Sequence, residues 1–412
     1  MKRNSSWFVF ATIALLGVLT VGIISSYLLL LRQSSRMRIG VLKGSSMEPA
    51  LRGPRIDVQC AQCQVLNSWT VDAWDSSKEV RCQYCKEYLD TSRASFADGQ
   101  AVAYLPSLLW KLNSKTIPIR RWDILVIGEQ ENLEDGGDST DESQAAAGQL
   151  KRVVGLPGEA IAIRDGRIWA NGKPVLPTPE EFMQQGILVS SWSASASGKS
   201  LSEYIATSTR PIDNELPINA QDSHQRIAVR DIGIAFRFSK PQSNWKLKLS
   251  LVHGPSVLPI HLFCHENHTE VEVIQASADQ PRKIEAIRDW KPLWINLILL
   301  GDRLIVLDEK KQRVAIDLDP LEEGLGWSDL EWIEPEGLID RCMIYRGIHF
   351  RGANDSPEQE FPVSDGWIVL GDNVSISADS RIWEHQRVPL VKIRGMLKHR
   401  PTLMEGLVKQ LP

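Results

Sequence analysis

The chain opens with an uninterrupted apolar run and then changes period. WFVFATIALLGVLTVGIISSYLLLL (Trp7 to Leu31) carries no charge, and no charged residue lies between Arg3 and Arg32. About 20 helical residues at 1.5 Å each cross a bilayer core, so this run predicts a transmembrane helix with some tilt. A cleaved signal peptide fits less well, because the run is too long and no small-x-small site follows in RQSSRMRIG. Lys2 and Arg3 precede the span and Arg32, Arg36 and Arg38 follow it, so charge alone does not orient it.

Beyond the span the pattern is that of strands. RMRIGVLKGSSMEPALRG reads as a short strand and a turn, and VAYLP (102–106) and DILVI (123–127) as strands. AIAIRDGRIWANGKPV reads as a hairpin, with tight turns at Asp165-Gly166 and Asn171-Gly172. Alternating runs recur from about 226 to 350, among them RIAVRDIGIAFRFS, KLKLSLVHG, IHLFCHE, TEVEVIQAS and LWINLILLGDRLIVLDEKKQRVAI. Runs of this length and spacing predict an antiparallel sandwich or jelly roll. The acidic stretch 129–143 has no apolar period and reads as a solvated loop. The polar tract SSWSASASGKSLSE (190–203) reads as a linker or loop. The expected fold class is mainly β behind one amino-terminal helix.

Composition bounds the function classes. A chain of 412 residues is expected to hold two or three domains, and 43% apolar with 24% charged residues is ordinary for a globular protein. A net charge of −4 argues against an extended nucleic-acid surface.

Four cysteines add a second chemistry. Cys60 and Cys63 form one C-x2-C pair and Cys82 and Cys85 another, eighteen residues apart. Four thiolates so spaced suit tetrahedral zinc, and four protein ligands leave no open position, so the expected role is structural. Two disulfides are the alternative if the segment faces an oxidising compartment. Neither pair carries the glycine common after the second cysteine of a ribbon knuckle. Cys264 and Cys342 are expected to be buried and inert; Cys264, His265 and His268 of CHENH could form a second metal site, but solvent-exposed loop histidines are the plainer account.

Three separated motifs carry the remaining chemistry: GSSMEPAL (44–51), KRVVGLPGEAIAIRDGRIWANGKPV (151–175) and GDNVSISADSRIWE (371–384). Their order behind a membrane span, with RRWDILVI (120–127) between the first two, resembles the type I signal peptidases, the S26 serine-lysine endopeptidases that remove signal peptides from exported proteins. The chemistry of the residues agrees. A serine hydroxyl needs a base to take its proton, and no histidine lies in the three motifs. Lys151, followed by the nearly apolar VVGLPG, is the candidate base. To serve, its pKa must fall from about 10.4 to near 7 or 8, which costs about 4 kcal/mol of desolvation.

The resemblance implies Ser46 as nucleophile, since it directly precedes Met47, with Ser45 one position too early. It implies the Ser46 backbone N–H as oxyanion donor. Some family members add a hydroxyl two residues earlier, where this chain has Gly44. Met47 and Pro49 would shape the turn and pocket floor. Ser377 matches the serine that orients the lysine, and Asp379 and Arg381 a supporting charge pair, which Arg152 is placed to join. Gly371, Asp372 and Asn373 match the turn carrying this motif. Two departures are Val374, where arginine is frequent, and Glu384-His385-Gln386-Arg387, which replaces a shorter glycine-containing link before Val388-Pro389.

The resemblance covers residues 1–52, about 98–128, about 150–175 and 361–396. The implied organisation is a cytoplasmic segment (1–6), an anchor (7–31), catalytic parts at 37–53, 98–175 and 361–412, a zinc-ribbon-like insertion (54–97) and a β-sandwich-like insertion (176–360). Trp192, Trp245, Trp290, Trp294, Trp327 and Trp332 of the second insertion could stack on a ligand such as a sugar, but core positions are the plainer account. Expected partners are exported preproteins and the lipid bilayer, with no nucleic acid. Beyond structural zinc no cofactor is expected, and the catalytic domain would lie on the exoplasmic side. Two rival readings remain. One is a catalytically silent anchored binding or scaffold protein, against which intact Ser46, Lys151 and Ser377 speak. The other is a self-cleaving repressor-like peptidase, which predicts a helix-turn-helix where the apolar run lies.

Overall fold

The computed structural model describes Thr20, Ser25 and residues 38–48, 50–62, 66–82, 87–106, 119–128, 148–194, 200–206, 212, 214, 227–239, 245–253, 256–264, 268–273, 282–288, 293–308, 313–318, 325–334 and 339–397. The transmembrane expectation for 7–31, the acidic stretch 129–143, Pro49, Trp290, His265 and the carboxy-terminal tail therefore fall outside the described residues, except for Thr20 and Ser25. Among the described residues, no helix is long and apolar enough to cross a membrane.

Among the described residues, twenty-four strands form five antiparallel sheets. The first comprises β1 (Arg38–Val41), β5 (Ala101–Pro106), β24 (Ile393–Leu397), β6 (Ile124–Gly128), β7 (Gly148–Gly155) and β23 (Ile368–Leu370), in that order. Both of its faces are covered, which is why ILVIG in β6 is apolar at every position. Ile124, Val126 and Leu150 pack with Met47 and Leu51 on one face, and Leu125, Ile127 and Val153 pack with Val369 and Ile393 on the other.

A four-stranded sheet, β10 (Lys173–Pro174), β9 (Arg167–Ala170), β8 (Ile161–Arg164) and β22 (Gln359–Phe361), lies beside it. The predicted hairpin is β8–β9, with Asp165 and Gly166 both at positive φ (49° and 71°), the backbone that an Asp-Gly turn adopts. Ile161, Ile163 and Ile168 seal this sheet onto the first through Trp122, Val154, Ile368 and Leu370. A small sheet, β3 (Leu66–Thr70), β2 (Arg55–Gln59) and β4 (Ser95–Ala97), carries the cysteine segment.

The alternating runs beyond 226 form the sandwich they predict. One sheet runs β11 (Ile187–Ser193), β21 (Ile339–Arg346), β12 (Ile232–Phe238), β17 (Trp294–Leu300), β18 (Arg303–Asp308), β19 (Arg313–Asp317). The facing sheet runs β16 (Arg282–Arg288), β15 (His268–Val273), β14 (Ser256–Cys264), β13 (Trp245–His253), β20 (Leu325–Glu334). Period-two alternation sends Ile232, Ile234, Phe236 and Phe238 inward against Leu247, Leu249, Leu251, Ile260 and Leu262. Trp192, Trp245, Trp294, Cys264 and Cys342 are all buried.

The outer face of the first of these sheets is covered by α1 (Pro179–Gln185), whose Phe182 packs on Tyr345, Trp294 and Ile298. Thr178 and Glu181 form a capping box at its start, with Pro179 in the first turn.

One expectation is corrected here. Residues 190–203 are not a plain linker: they supply the end of β11 and the start of α2 (Leu201–Ala206). β11 is an edge strand, so only one side of it must pair, and Trp192 is buried while the adjoining serines stay half exposed.

Candidate active site

Lys151 and Arg152 sit next to each other in the middle of β7, so their side chains leave opposite faces of the sheet. Both are almost wholly buried, at 2% and 1% exposure. Lys151 Nζ donates a 2.8 Å hydrogen bond to Ser377 Oγ. Burial disfavours its ammonium form and pushes the pKa down from 10.5 to about 8. The Asp379 carboxylate opposes that shift, Arg381 adds to it and Asp372 opposes it weakly. A fall of this size corresponds to about 3 kcal/mol. With a pKa of about 8 the amine is neutral in roughly a tenth of molecules at pH 7, a far larger share than for an exposed lysine.

The third motif is built around two buried carboxylates. Asp379 accepts from Arg381 Nε at 2.8 Å and Nη2 at 2.7 Å and from the Gly371 N–H at 2.9 Å. Arg381 also donates to the carbonyls of Val374 (2.7 Å) and Ser377 (3.2 Å), which fixes the loop that carries Ser377. Val374 thus contributes through its backbone, where the family pattern often has an arginine.

Arg152 does not join this pair. It makes its own bidentate bridge to Asp372, at 2.7 and 2.6 Å, and donates to the Trp122 carbonyl at 3.0 Å. Sequence reasoning placed Asp372 only in a turn. An acid directly following Gly371 was the available signal, but its partner lies 220 positions away.

Ser46 occupies a turn in which the Glu48 N–H bonds the Ser45 carbonyl and the Leu51 N–H the Met47 carbonyl. Met47 and Leu51 anchor this turn in the sheet core. Asn373 ties it to the third motif: its N–H donates to the Ser46 carbonyl at 3.0 Å and its Nδ2 to the Ser45 carbonyl at 3.3 Å. A β-carbon placed on Gly371 would lie 2.1 Å from Ser377 Oγ and 2.5 Å from the Ser46 carbonyl oxygen. Glycine is required there because the serine turn and the lysine's partner close on the same point. Among the described residues, neither the N–H nor the hydroxyl of Ser46 has a hydrogen-bond partner, and Lys151 Nζ is held by Ser377. Nothing lies within 4 Å of a β-carbon built at Gly44, so no neighbouring group fills that position.

Glu48 is a residue the sequence reading missed. It is 1% exposed, accepts from the Gly53 N–H at 3.0 Å, and burial raises its pKa to about 7. The Gly44 carbonyl packs against Gly53 as well, so this carboxyl group closes the loop around Ser46. An acid set between Met47 and Pro49 was the signal.

Of the four paired cysteines, Cys63 and Cys85 lie outside the described residues. Cys60 and Cys82, one from each pair, are fully buried in one cluster with Val58, Trp69 and Leu89. The Asn67 amide donates to Cys82 Sγ at 3.5 Å. Among the described residues, no group of three or more metal-ligating side chains occurs.

Comparison with known proteins finds signal peptidases, in a family-model match that takes in the first two motifs and stops short of the third. The family model described as signal peptidase, peptidase S26, matches residues 18–200. The protein named Signal peptidase I from Leptolyngbya laminosa is 40% identical over 58 residues, 14% of this chain and 26% of that protein. Both matches are to signal peptidases. The chain spans about a quarter of the length of this curated relative. Solved structures overlap it only loosely. A PL7 alginate lyase from Zobellia galactanivorans shares 9% identity at a TM-score of 0.18, covering 32% of this chain and 61% of its own. A glycoside hydrolase family 32 protein from Bifidobacterium adolescentis shares 12% identity at 0.23, covering 68% and 36%.

Proposed function

We propose that the protein is a membrane-anchored serine endopeptidase that removes signal peptides from exported preproteins. The carrying observation is the buried Lys151, lowered to about 8 and hydrogen-bonded to Ser377, beside the turn that presents Ser46.

In this reading the substrate drives the Ser46 hydroxyl toward Lys151, a tightening common on passing from free enzyme to complex. Neutral Lys151 takes the hydroxyl proton as Ser46 Oγ attacks the scissile carbonyl. The Ser46 N–H, otherwise unengaged among the described residues, stabilises the oxyanion. Lys151 then hands its proton to the leaving amine, and water with Lys151 as base releases the acyl group. Ser377 holds the lysine rotamer, and Asp379 with Arg381 holds Ser377. An extended peptide has a place to add: β23 pairs with Arg152, Val153 and Gly155, while the Gly148–Lys151 half of β7 is paired on the β6 side alone among the described residues. A preference for small residues at the first and third positions before the cut follows from the resemblance. The apolar run 7–31 supplies the anchor, with the amino terminus cytoplasmic and the site exoplasmic. Cys60, Cys63, Cys82 and Cys85 hold one structural zinc per chain, which metal analysis of protein purified without chelator tests; no zinc would refute it.

Cleavage of a model preprotein by detergent-solubilised full-length protein tests the activity. Wild type cuts after an Ala-x-Ala segment, and Ser46→Ala and Lys151→Met each lose about 10³-fold or more in kcat. A fully active variant at either position would overturn the site; an inactive, folded wild type would overturn the function.

A further inference from the structure

Beside Lys151 lies a pocket that the catalytic reading leaves unassigned. Its volume is about 120 Å³, and Ile127, Gln149, Trp383, His385, Arg387 and Lys392 line it together with Pro389. An apolar cavity of about 150 Å³ takes a benzene ring, so this one suits a single side chain. Ile127 and Gln149 face each other across β6 and β7, one step from the Leu125–Lys151 pair on the same face of the sheet. Gln149 and Lys151 are two residues apart, about 7 Å along the strand. The pocket therefore lies on the Lys151 face of the sheet, one same-face position along β7 from the lysine.

Its charge is one-sided. No carboxylate lines it. Arg387 is buried, and its bonded partners are backbone carbonyls, among them Glu159 at 2.8 Å and Gly366 at 3.0 Å. The Glu159 carboxylate, outside the lining and bridged to Arg121 at 2.7 Å, also offsets part of the Arg387 charge, which leaves Lys392 as the main cation of the pocket. Lys392 is half-buried and His385 exposed, and among the described residues neither forms an ion pair. Trp383 packs on the Ile127 side of the sheet and gives the pocket an apolar wall. His385 and Arg387 come from Glu384–Arg387, the stretch where the chain departs from the signal-peptidase pattern.

We propose that this pocket is a side-chain subsite selecting an acidic residue, aspartate or glutamate, close to the scissile bond. The stem of the side chain would lie on Trp383, and its carboxylate would meet the positive field of Lys392 and Arg387. The proposal rests on the Ser46–Lys151 peptidase reading.

The test uses full-length enzyme in detergent and a set of model preproteins. Each of the three residues on either side of the cut is set in turn to alanine, glutamate or lysine. Read as the glutamate-to-lysine ratio of kcat/KM, one position shows about a five- to tenfold preference for glutamate. Salt near 1 M shrinks that ratio. Lys392→Glu brings it to one or below, and His385→Glu, at an exposed position, lowers it independently. Ratios near one at every position, with the alanine substrate cleaved normally, overturn the subsite and leave the peptidase standing. So does a glutamate preference that both charge reversals leave intact. Failure to cleave the alanine substrate at all overturns the peptidase reading, and the subsite with it.

Discussion

Between the two sheets of the sandwich, the buried space is filled by aliphatic and aromatic side chains, from Ile232 and Phe236 on one side to Leu249 and Leu262 on the other. Around β7 and the turns packed on it, by contrast, the buried residues include Glu48, Lys151, Arg152, Asp372, Asp379 and Arg381. The first region gains stability from every side chain it buries. The second must satisfy each charge it buries, and it does so with bidentate arginine bridges and backbone donors, not with packing alone. A core that only had to hold the fold would not need such an arrangement. Lys151 bonds no carboxylate among the described residues, and in the proposed mechanism it is the group that changes protonation state.

The sharpest way to break this contrast is to remove one partner of the buried bridge. Arg152→Met leaves Asp372 charged and unpaired, and should cost about 3–5 kcal/mol in denaturant unfolding. A loss below about 1 kcal/mol would mean that the bridge is not what holds this region. Leu249→Ala in the sandwich should cost about 2–4 kcal/mol through the cavity it leaves. That loss should appear in the sandwich transition while preprotein cleavage continues; equal loss of cleavage would show that the two regions fold as one unit.

Lys151→Met should abolish cleavage yet raise stability by about 1–3 kcal/mol at pH 7. The sign follows from the folded pKa of about 8 lying below the unfolded 10.5. Folding disfavours the charged amine, that cost is full below pH 8, and it fades as pH approaches 10.5. The gain from methionine should fade over the same window, measured by denaturation across pH. Wild-type kcat should rise with pH through about 8. The smallest effect concerns Glu48. Glu48→Leu removes the acceptor for the Gly53 N–H and should lower kcat about tenfold with KM little changed, whereas Glu48→Gln should keep most activity. Equal losses in both would mean that charge, not the hydrogen bond, is what matters.

What the sequence revealed depended on how far apart the interacting residues lie. The Asp165-Gly166 turn was readable because two adjacent residues require positive φ, and the sandwich because its strands alternate on their own. The order of the three motifs was readable as well. The Arg152–Asp372 bridge was not, since nothing local marks a partner 220 positions away. Glu48 was hidden inside a motif read for its serine. The start of α1 was written plainly as Thr178-Pro179-Glu180-Glu181, a helix signal that the prevailing strand pattern obscured. The β11 segment was hidden by composition, because an edge strand tolerates serines that a central strand would not.

The hydrogen bond from Lys151 to Ser377 spans 226 positions, and the one from Asn373 to Ser45 spans 328. During synthesis, both the serine turn and the lysine strand therefore leave the ribosome long before the loop that joins them. The whole sandwich is made in the interval. A nascent chain carrying Ser46 and Lys151 has no held amine and no pinned serine until Asn373 and Ser377 have been made. On the proposed mechanism, proteolytic competence waits for the loop that carries Ser377, and a product truncated before that loop carries Ser46 and Lys151 without the partner that holds the amine.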